Sequence, residues 1–268
     1  MYRDPSFLAE LLGATERDNT TTAAVHLTDR DVECLVQDGK LREVDSKDVL
    51  VGCSSFTVVE LAKARRRWIV WPRFWNTFEC SEYVALPSTN ETIAQAQPFA
   101  YGLCFDFSSF FHHFTLEPDV QKFYGILVRL KSFVLTTIPT GGRQPPKFAQ
   151  IFSEAVAADV SQRTEVSFEV MKTTAYIDNI RFLSNSTTVL TNAAKHLREL
   201  CVELNIQLNE DGALPSPRYE FLGVSYDHDV KKVFLSQKTR EKRERIRLVL
   251  MDASESFFVG DDLASFFG

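Results

Sequence analysis

The sequence predicts an α+β fold in which an antiparallel sheet is backed on one face by helices. Two observations lead to this expectation. Apolar runs of strand length lie in pairs across short turns, as at 173–177 and 180–183, and segments with helical apolar spacing lie between such pairs, as at 190–204. The chain has 268 residues and is 44% hydrophobic, so it can form the core of one large domain or of two to three subdomains.

The first hundred residues predict two short helices and a basic hairpin. Asp4 and Pro5 are typical of a helix start, Gly13 would end that helix, and a second helix is expected at 31–36. The segment 86–98 is rich in Ser, Thr, Asn and Gln, which favours a surface loop. The expected strands are 56–61 and 68–71, with the run from Lys63 to Arg67 around their turn.

From residue 101 onward, strands and helices alternate. The strand 101–105 delivers Asp106 to its C-terminal end, and the aromatic run 107–114 predicts a short helix or turn. Pro139-Thr140-Gly141-Gly142 breaks the pattern before a helix at 145–160. The remaining expected elements are strands at 122–128, 133–138, 173–177, 180–183, 219–226 and 232–235, a helix over 190–204 and a basic helix at 237–249.

Composition excludes several classes of protein. No run of about 18 uncharged apolar residues occurs and no signal-peptide pattern opens the chain, so we expect an intracellular protein, cytoplasmic or nuclear, without membrane contact. The five cysteines form no CxxC pair, which argues against a disulfide framework and a zinc knuckle. The net charge is −6, but basic islands at 60–73 and 231–247 could meet phosphates. Each island could equally be a solvated face.

Two aspartates are presented at strand ends. Asp178 lies at the tip of the hairpin Tyr176-Ile177-Asp178-Asn179, and Asp106 follows its own strand. Strands that pair in a sheet lie about 4.8 Å apart, so carboxylates at matching heights can share a hard cation such as Mg²⁺. Such a site indicates nucleotidyl transfer. The alternative is that both aspartates merely cap turns.

Five motifs in order resemble those of reverse transcriptases. Asp106-Phe107-Ser108-Ser109-Phe110-Phe111 is similar to their first catalytic motif, and Tyr176-Ile177-Asp178-Asn179 to their Tyr-x-Asp-Asp hairpin. The others are the Leu-Pro-x-Gly-like segment 138–146, the helix and strand at 197–208, and the primer-grip-like hairpin 219–223. The resemblance runs from about residue 56 to residue 268, and it is specific because order and spacing agree.

The resemblance implies a catalytic centre with two metal ions. Asp106 and Asp178 would bind two Mg²⁺ or Mn²⁺ ions, and the backbone carbonyl of Phe107 would complete a coordination shell. Asn179 stands where the family has a second catalytic aspartate, which implies weaker metal binding or a preference for Mn²⁺. Ser109 and Thr140 also depart from the family pattern.

The resemblance also implies where the substrates bind. Lys63 and Arg67 would grip the triphosphate of a dNTP, with Arg67 placed by counting back from Asn76. Phe111 would exclude a ribose 2′-hydroxyl, although ordinary core packing is an alternative for a phenylalanine. Gly141 would let the backbone approach a base or the template. The residues implied to contact the nucleic acid are Phe221, Leu222 and Gly223 at the primer end, and Lys238, Arg240, Lys242 and Arg243 at duplex phosphates.

The fold implied by the resemblance is a right-hand polymerase with fingers, palm and a partial thumb. The expected parts are 1–100 for the N-terminal region and fingers, 101–225 for the palm with a fingers insertion near 118–148, and 226–268 for the connection and start of the thumb. The segment 262–268 is similar to gypsy-type and DIRS-type retrotransposon enzymes, and the divergent motif set is similar to that of tyrosine-recombinase retroelements such as the kinetoplastid VIPER type.

The predicted function is that of an RNA-directed DNA polymerase fragment. It would extend a primer with dNTPs on an RNA or DNA template, and the rest of the thumb and an RNase H domain would belong to the full polyprotein. The alternative is a catalytically impaired palm domain that binds nucleic acid or a partner without synthesis. A third candidate is another palm nucleotidyltransferase that prefers ribonucleotides.

Overall fold

The computed structural model describes residues 24–60, 65–78, 84–209 and 213–252. The expected helix opening at Asp4, residue Lys63 and the segment 262–268 lie outside the described residues. In chain order the strands are β1 (Ala24–Val25), β2 (Leu41–Val44), β3 (Ser54–Glu60), β4 (Arg65–Trp71), β5 (Tyr101–Asp106), β6 (Gly125–Val128), β7 (Lys131–Leu135), β8 (Met171–Tyr176), β9 (Asn179–Ser184), β10 (Arg218–Phe221), β11 (Val224–Asp227) and β12 (Lys232–Leu235). The helices are α1 (Asp29–Gln37), α2 (Arg73–Phe78), α3 (Thr89–Ala96), α4 (Pro118–Gln121), α5 (Pro145–Thr164), α6 (Thr187–Glu203) and α7 (Gln237–Asp252).

The described strands form antiparallel sheets in the orders β1-β3-β4, β2-β7-β6, β5-β9-β8 and β10-β11-β12. Together with the helices they confirm a mixed α/β architecture with antiparallel sheets. The described residues divide into two compact units. The first unit draws on the segments Met1–Leu86, Phe107–Ala155 and Cys201–Asn209, and the second on Pro87–Asp106, Val156–Leu200 and Glu210–Gly268. The fingers, palm and thumb boundaries stay a prediction.

Helix α3 occupies the segment that the sequence predicted to be a surface loop, and that prediction was wrong. Ser88 caps the helix, since its Oγ accepts from Glu91 N at 3.2 Å while Glu91 Oε2 accepts from Ser88 N at 2.7 Å. This reciprocal capping box satisfies two backbone donors at the helix start. Thr92 and Ala96 are buried. The polar composition of the segment concealed a helix whose signal was the Ser-x-x-Glu spacing.

The basic run 65–67 lies within strand β4, although the sequence placed it around the turn. Arg67 is paired with Val58 in the ladder and is exposed, whereas Arg66 is buried. Successive side chains of a strand point to opposite faces, so neighbouring arginines have different environments. Arg66 Nη2 lies 2.7 Å from Asp31 Oδ2 and 2.6 Å from Thr57 Oγ1, which ties α1 to the β3–β4 hairpin.

The first unit has an apolar core shared by its helix and its sheets. Its buried members include Val32, Leu35, Trp68, Val70 and Phe133. Beside this core lies a cavity of about 30 Å³ whose lining includes the charged groups of α1 and β4 and the ring of His112. The His112 ring stacks on Trp68 with centroids 5.8 Å apart, and its Nδ1 lies 3.1 Å from Thr137 Oγ1.

His112 makes the stability of the fold depend on pH. Burial lowers its pKa to about 4, and the positive charge of Lys40 acts in the same direction. In the unfolded chain the pKa of the imidazole is about 6.5, so the unfolded state gains a proton first as the pH falls. Urea unfolding should show up to about 3 kcal/mol of stability lost between about pH 6.5 and pH 4 through this residue. A His112→Gln variant should lack that component, and an unchanged pH profile would contradict the assignment.

The second unit builds its core from the two sheets β5-β9-β8 and β10-β11-β12. Leu183 of β9, Ala96 of α3 and the residues Phe221, Val224 and Tyr226 of the β10–β11 hairpin form one buried cluster. Helix α6 adds an apolar face, and its buried residues include Leu190, Ala193, Ala194, Leu197 and Leu200. This unit contains the strands that deliver both predicted catalytic aspartates.

Among the described residues, no helix is long and apolar enough to cross a membrane.

Candidate catalytic site

Asp178 lies in a two-residue turn between β8 and β9. Tyr176 and Asn179 form the last pair of that ladder, so Ile177 and Asp178 alone connect the strands. Ile177 has a φ of 52°, which is rare for a β-branched residue and costs energy. Two-residue hairpin turns require a positive φ at their first position, so the turn imposes this conformation. The strained turn places the Asp178 carboxylate at the end of the sheet.

Asp106 lies at the same end of this sheet. It is the last residue of β5, and its partner in the antiparallel ladder is Asn179 of β9. Directly opposed residues in such a ladder have Cα atoms about 4.5 to 5.5 Å apart. Asp106, Asp178 and Asn179 are half-buried. The register therefore brings the two predicted carboxylates and the amide into one group.

Asn179 makes a direct contact with the adjacent carboxylate. Its Nδ2 donates to Asp178 Oδ1 at 2.9 Å. A carboxylate accepts hydrogen bonds at both oxygens, so this bond orients the group without using all of its acceptor capacity. Among the described residues, no three His, Cys, Asp or Glu side chains converge as a metal site. Two carboxylates still suit Mg²⁺, which takes few protein ligands and completes its shell with water and substrate phosphates.

The hairpin β10–β11 presents the predicted primer-grip residues. Leu222 and Gly223 form its turn with φ values of 51° and 76°, the pair of positive angles expected of a type I′ turn. A side chain at Gly223 is disfavoured, because the φ is positive and an added Cβ would lie 2.6 Å from Thr239 Oγ1, which would have to move. Phe221 directly precedes the turn and is buried, so its ring anchors the turn to the core.

Helix α7 carries the predicted phosphate-contacting residues. Ser236 caps its start, since Ser236 Oγ accepts from Thr239 N at 3.2 Å. The side chains of Lys238, Arg240, Lys242 and Arg243 are all exposed. They form a basic surface on the first turns of the helix.

The remaining predicted residues belong to the first unit. Phe107 is buried and stacks on Phe110 with centroids 4.7 Å apart, and its backbone bridges Leu208. Phe111 is half-buried, with its centroid 6.3 Å from that of Phe110. The aromatic packing therefore holds the backbone that follows Asp106 and leaves the Phe111 ring partly accessible.

Gly141 is clamped against strand β4 by hydrogen bonds. Its N–H donates to Val70 O at 3.0 Å, and a Cβ at this position would lie 2.4 Å from the same oxygen. Asn76 binds the loop on both sides of the glycine pair, because its Nδ2 donates to Gly141 O at 2.9 Å and its Oδ1 accepts from Arg143 N at 3.1 Å. Local sequence patterns could not reveal this role of Asn76, because its partners lie more than sixty positions away.

Two functional features were missed by sequence reasoning. The first is the pair of hydrogen bonds made by Asn76. The second is Arg181 of β9, because a charged residue within an apolar run suggests only an interruption of that run. Arg181 is fully buried and its Cζ lies 4.5 Å from the centroid of the Phe221 ring. The aromatic residues of β10 and β11 were the feature of the sequence that could have indicated such a cation-π site.

The chain is similar to solved structures of foamy virus protease-reverse transcriptases. One is a foamy viral protease-reverse transcriptase in complex with double-stranded DNA, with a TM-score of 0.65 and 15% identity, covering 85% of this chain and 39% of that chain. Another is the prototype foamy virus protease-reverse transcriptase, with a TM-score of 0.59 and 14% identity, covering 74% of this chain and 25% of that chain. No protein-family model and no curated protein matches the sequence. The chain spans well under half of the length of these neighbours, and the similarity shows a reverse-transcriptase-like fold.

Proposed function

We propose that the chain is an RNA-directed DNA polymerase that extends a primer by template-directed nucleotidyl transfer. The observation that carries the proposal is the ladder register that opposes Asp106 to Asn179, with Asp178 in the adjoining turn. The reverse-transcriptase-like fold supports it. The similarity of the segment 262–268 to gypsy-type and DIRS-type enzymes supports an origin in a retrotransposon of that kind.

The carboxylates of Asp106 and Asp178 are the proposed ligands of two Mg²⁺ or Mn²⁺ ions. When bound, the ions supply Lewis-acid activation of a primer 3′-hydroxyl and neutralise charge on the triphosphate. Asn179 holds the Asp178 carboxylate in one orientation through its 2.9 Å hydrogen bond. The strained Ile177 turn fixes that carboxylate at the sheet end. Both features preorganise the site before substrate arrives.

Further residues are proposed to bind the nucleotide and the nucleic acid. We assign the dNTP triphosphate to Lys63 and the exposed Arg67, the sugar to Phe111 and the Phe107 backbone, and a close backbone contact to Gly141. Phosphates of the duplex would bind the basic face of α7, and the primer end would bind the Leu222-Gly223 turn. The double-stranded DNA bound by a foamy viral neighbour supports a duplex ligand.

Primer extension tests the proposal directly. The purified chain is mixed with a labelled primer on an RNA or a DNA template, dNTPs, and Mg²⁺ or Mn²⁺. Stepwise extension that follows the template and stops when the metal is chelated is the expected result. Absence of extension with either ion on either template, with the duplex still bound in a gel-shift assay, would instead favour the non-catalytic binding domain that Asn179 suggests.

Replacing Asn179 by aspartate should strengthen metal binding. The Asn179→Asp change adds a negative charge beside Asp178 and removes the amide donor that occupies one of its oxygens. We expect the dissociation constant for Mn²⁺, measured by calorimetry without nucleotide, to fall about tenfold, because ligand charge sets cation affinity. Asn205→Asp adds the same charge at an exposed position of the first unit and serves as the control. Equal affinities for both variants would contradict the role of position 179.

Phe111 is the proposed determinant of sugar selection. A Phe111→Val change removes the ring and should raise the relative kcat/KM for ribonucleotides over deoxynucleotides by at least about tenfold. Phe114→Val removes a ring from the same aromatic cluster, where its centroid is 5.3 Å from that of Phe110, and controls for loss of packing. If both variants select sugars like the parent enzyme, Phe111 is a core residue only.

A further inference from the structure

Arg181 is the largest fully buried side chain in the described chain, and it lies three positions after Asp178 in strand β9. Its guanidinium contacts neutral groups. Nη2 donates to Thr92 O at 2.9 Å and to Thr174 Oγ1 at 3.3 Å. Its Cζ lies 4.5 Å from the Phe221 ring centroid and 5.2 Å from that of Tyr226. One cation thus joins α3, β8 and β9 to both strands of the β10–β11 hairpin.

A buried guanidinium is costly, because it loses its water and gains only partial compensation from carbonyl, hydroxyl and ring partners. An apolar side chain of similar volume would fill the same space at a lower desolvation cost. An apolar side chain would not fix the orientation of the hairpin, whereas hydrogen bonds and ring contacts constrain both the distance and the angle at which the hairpin packs. The placement therefore indicates a role in geometry.

The other contacts of the hairpin reinforce this attachment. Gly102 of β5 exchanges backbone hydrogen bonds with Ser216 at 2.9 and 3.0 Å. A Cβ on Gly102 would lie 2.1 Å from Tyr219 Cε1, so the strand and the ring are in close contact. Tyr226 Oη donates to Thr92 Oγ1 at 3.4 Å. The hairpin is thereby fastened to β5 and β9, the two strands that end at Asp106 and Asn179.

We infer that Arg181 is a positioning residue that fixes the Leu222-Gly223 turn relative to Asp178, and so sets where a primer 3′ end lies at the catalytic carboxylates. This inference rests on the proposed polymerase function for its consequence. The attachment of the hairpin is a separate claim that needs no activity. Loss of the guanidinium should loosen the hairpin while the sheet that carries the carboxylates remains folded.

The experiment compares Arg181→Met, Arg181→Lys and Leu197→Ala in the full chain. Methionine keeps the length of the side chain but has neither charge nor donors, and lysine keeps the charge without the planar fork. Leu197 is fully buried in α6, so its truncation provides a variant of lowered stability that leaves the hairpin contacts unchanged. The measurements are the melting temperature, hydrogen exchange at 218–227, the primer-template KM and kcat at saturating dNTP.

Arg181→Met should accelerate exchange at 218–227 by about tenfold or more and lower kcat by about tenfold to a hundredfold, since a displacement of about 1 Å can have that effect. The primer-template KM should stay within about twofold, because phosphate contacts are unchanged. Arg181→Lys should show slower exchange at 218–227 and a higher kcat than Arg181→Met. Leu197→Ala should lower the melting temperature while leaving kcat within about twofold.

Exchange at 218–227 that is no faster in Arg181→Met than in Leu197→Ala would overturn the attachment. Faster exchange with a kcat equal to that of Leu197→Ala would overturn the positioning role. If the parent chain extends no primer, the polymerase proposal fails and the positioning role fails with it. The exchange comparison then still decides whether Arg181 holds the hairpin.

Discussion

Replacing Asp106 or Asp178 by alanine should lower the rate of primer extension by about a hundredfold to a thousandfold. Each change removes one of the two proposed metal ligands, and a single preorganised electrostatic contact in an active site is worth about 10² to 10³ in rate. Both side chains are half-buried at the sheet end, so truncation leaves no large cavity. The measurement is single-turnover extension with saturating primer-template.

The matched control is Asp119→Ala, which removes an exposed carboxylate from α4. It should extend primers at the parent rate. Gel-shift binding of the duplex should be retained in all three variants, because the proposed phosphate contacts are made by the basic residues of α7. Extension by Asp178→Ala within about tenfold of the parent would remove that carboxylate from the catalytic centre.

Gly141→Ala should both destabilise the first unit and impair nucleotide use. The new methyl group would lie 2.4 Å from Val70 O, a backbone atom that can move only with strand β4. The loop must then shift, which weakens the bond from Gly141 N to Val70 O and the bond from Asn76 Nδ2 to Gly141 O. Overpacking of this kind costs about 1 to 3 kcal/mol. Urea unfolding and the KM for dNTP, which should rise about tenfold, are the two measurements.

Gly52→Ala provides the control for this prediction. Gly52 also belongs to the first unit, but a Cβ at that position meets no atom within 4 Å. Its unfolding free energy and KM should match those of the parent. If Gly141→Ala also matches the parent in unfolding free energy and KM, the loop can accommodate the methyl group. The close approach of Gly141 to Val70 O is then not required for stability or nucleotide use.

The turn between β8 and β9 was predictable because its signals are local. A two-residue connection between apolar runs specifies the β8–β9 hairpin, and a strand that ends in Asp106 specifies its own carboxylate. The pairing of β5 with β9 is different, since it joins residues more than seventy positions apart and follows only from the family resemblance. The structure supplies that pairing, and with it the convergence of the two aspartates.

The features that escaped prediction depend on distant partners or on opposing local signals. Helix α3 has a loop-like composition, and its start is marked only by the Ser88 and Glu91 pair. In the sequence, Arg181 suggests a solvent-facing charge. Only the packing of the β10–β11 hairpin places aromatic rings against it. Arg66 and Arg67 are indistinguishable in sequence, yet the strand period buries one and exposes the other.

The two hydrogen bonds made by Asn76 also make this residue a position at which deamidation would weaken the loop. Its amide must donate to Gly141 O and accept from Arg143 N at the same time, and asparagine is suited to both tasks. Spontaneous hydrolysis of that amide would replace the donor with a carboxylate oxygen facing the Gly141 carbonyl. Stored samples should therefore lose thermal stability in proportion to the deamidated peptide around residue 76, which peptide mass spectrometry can measure batch by batch.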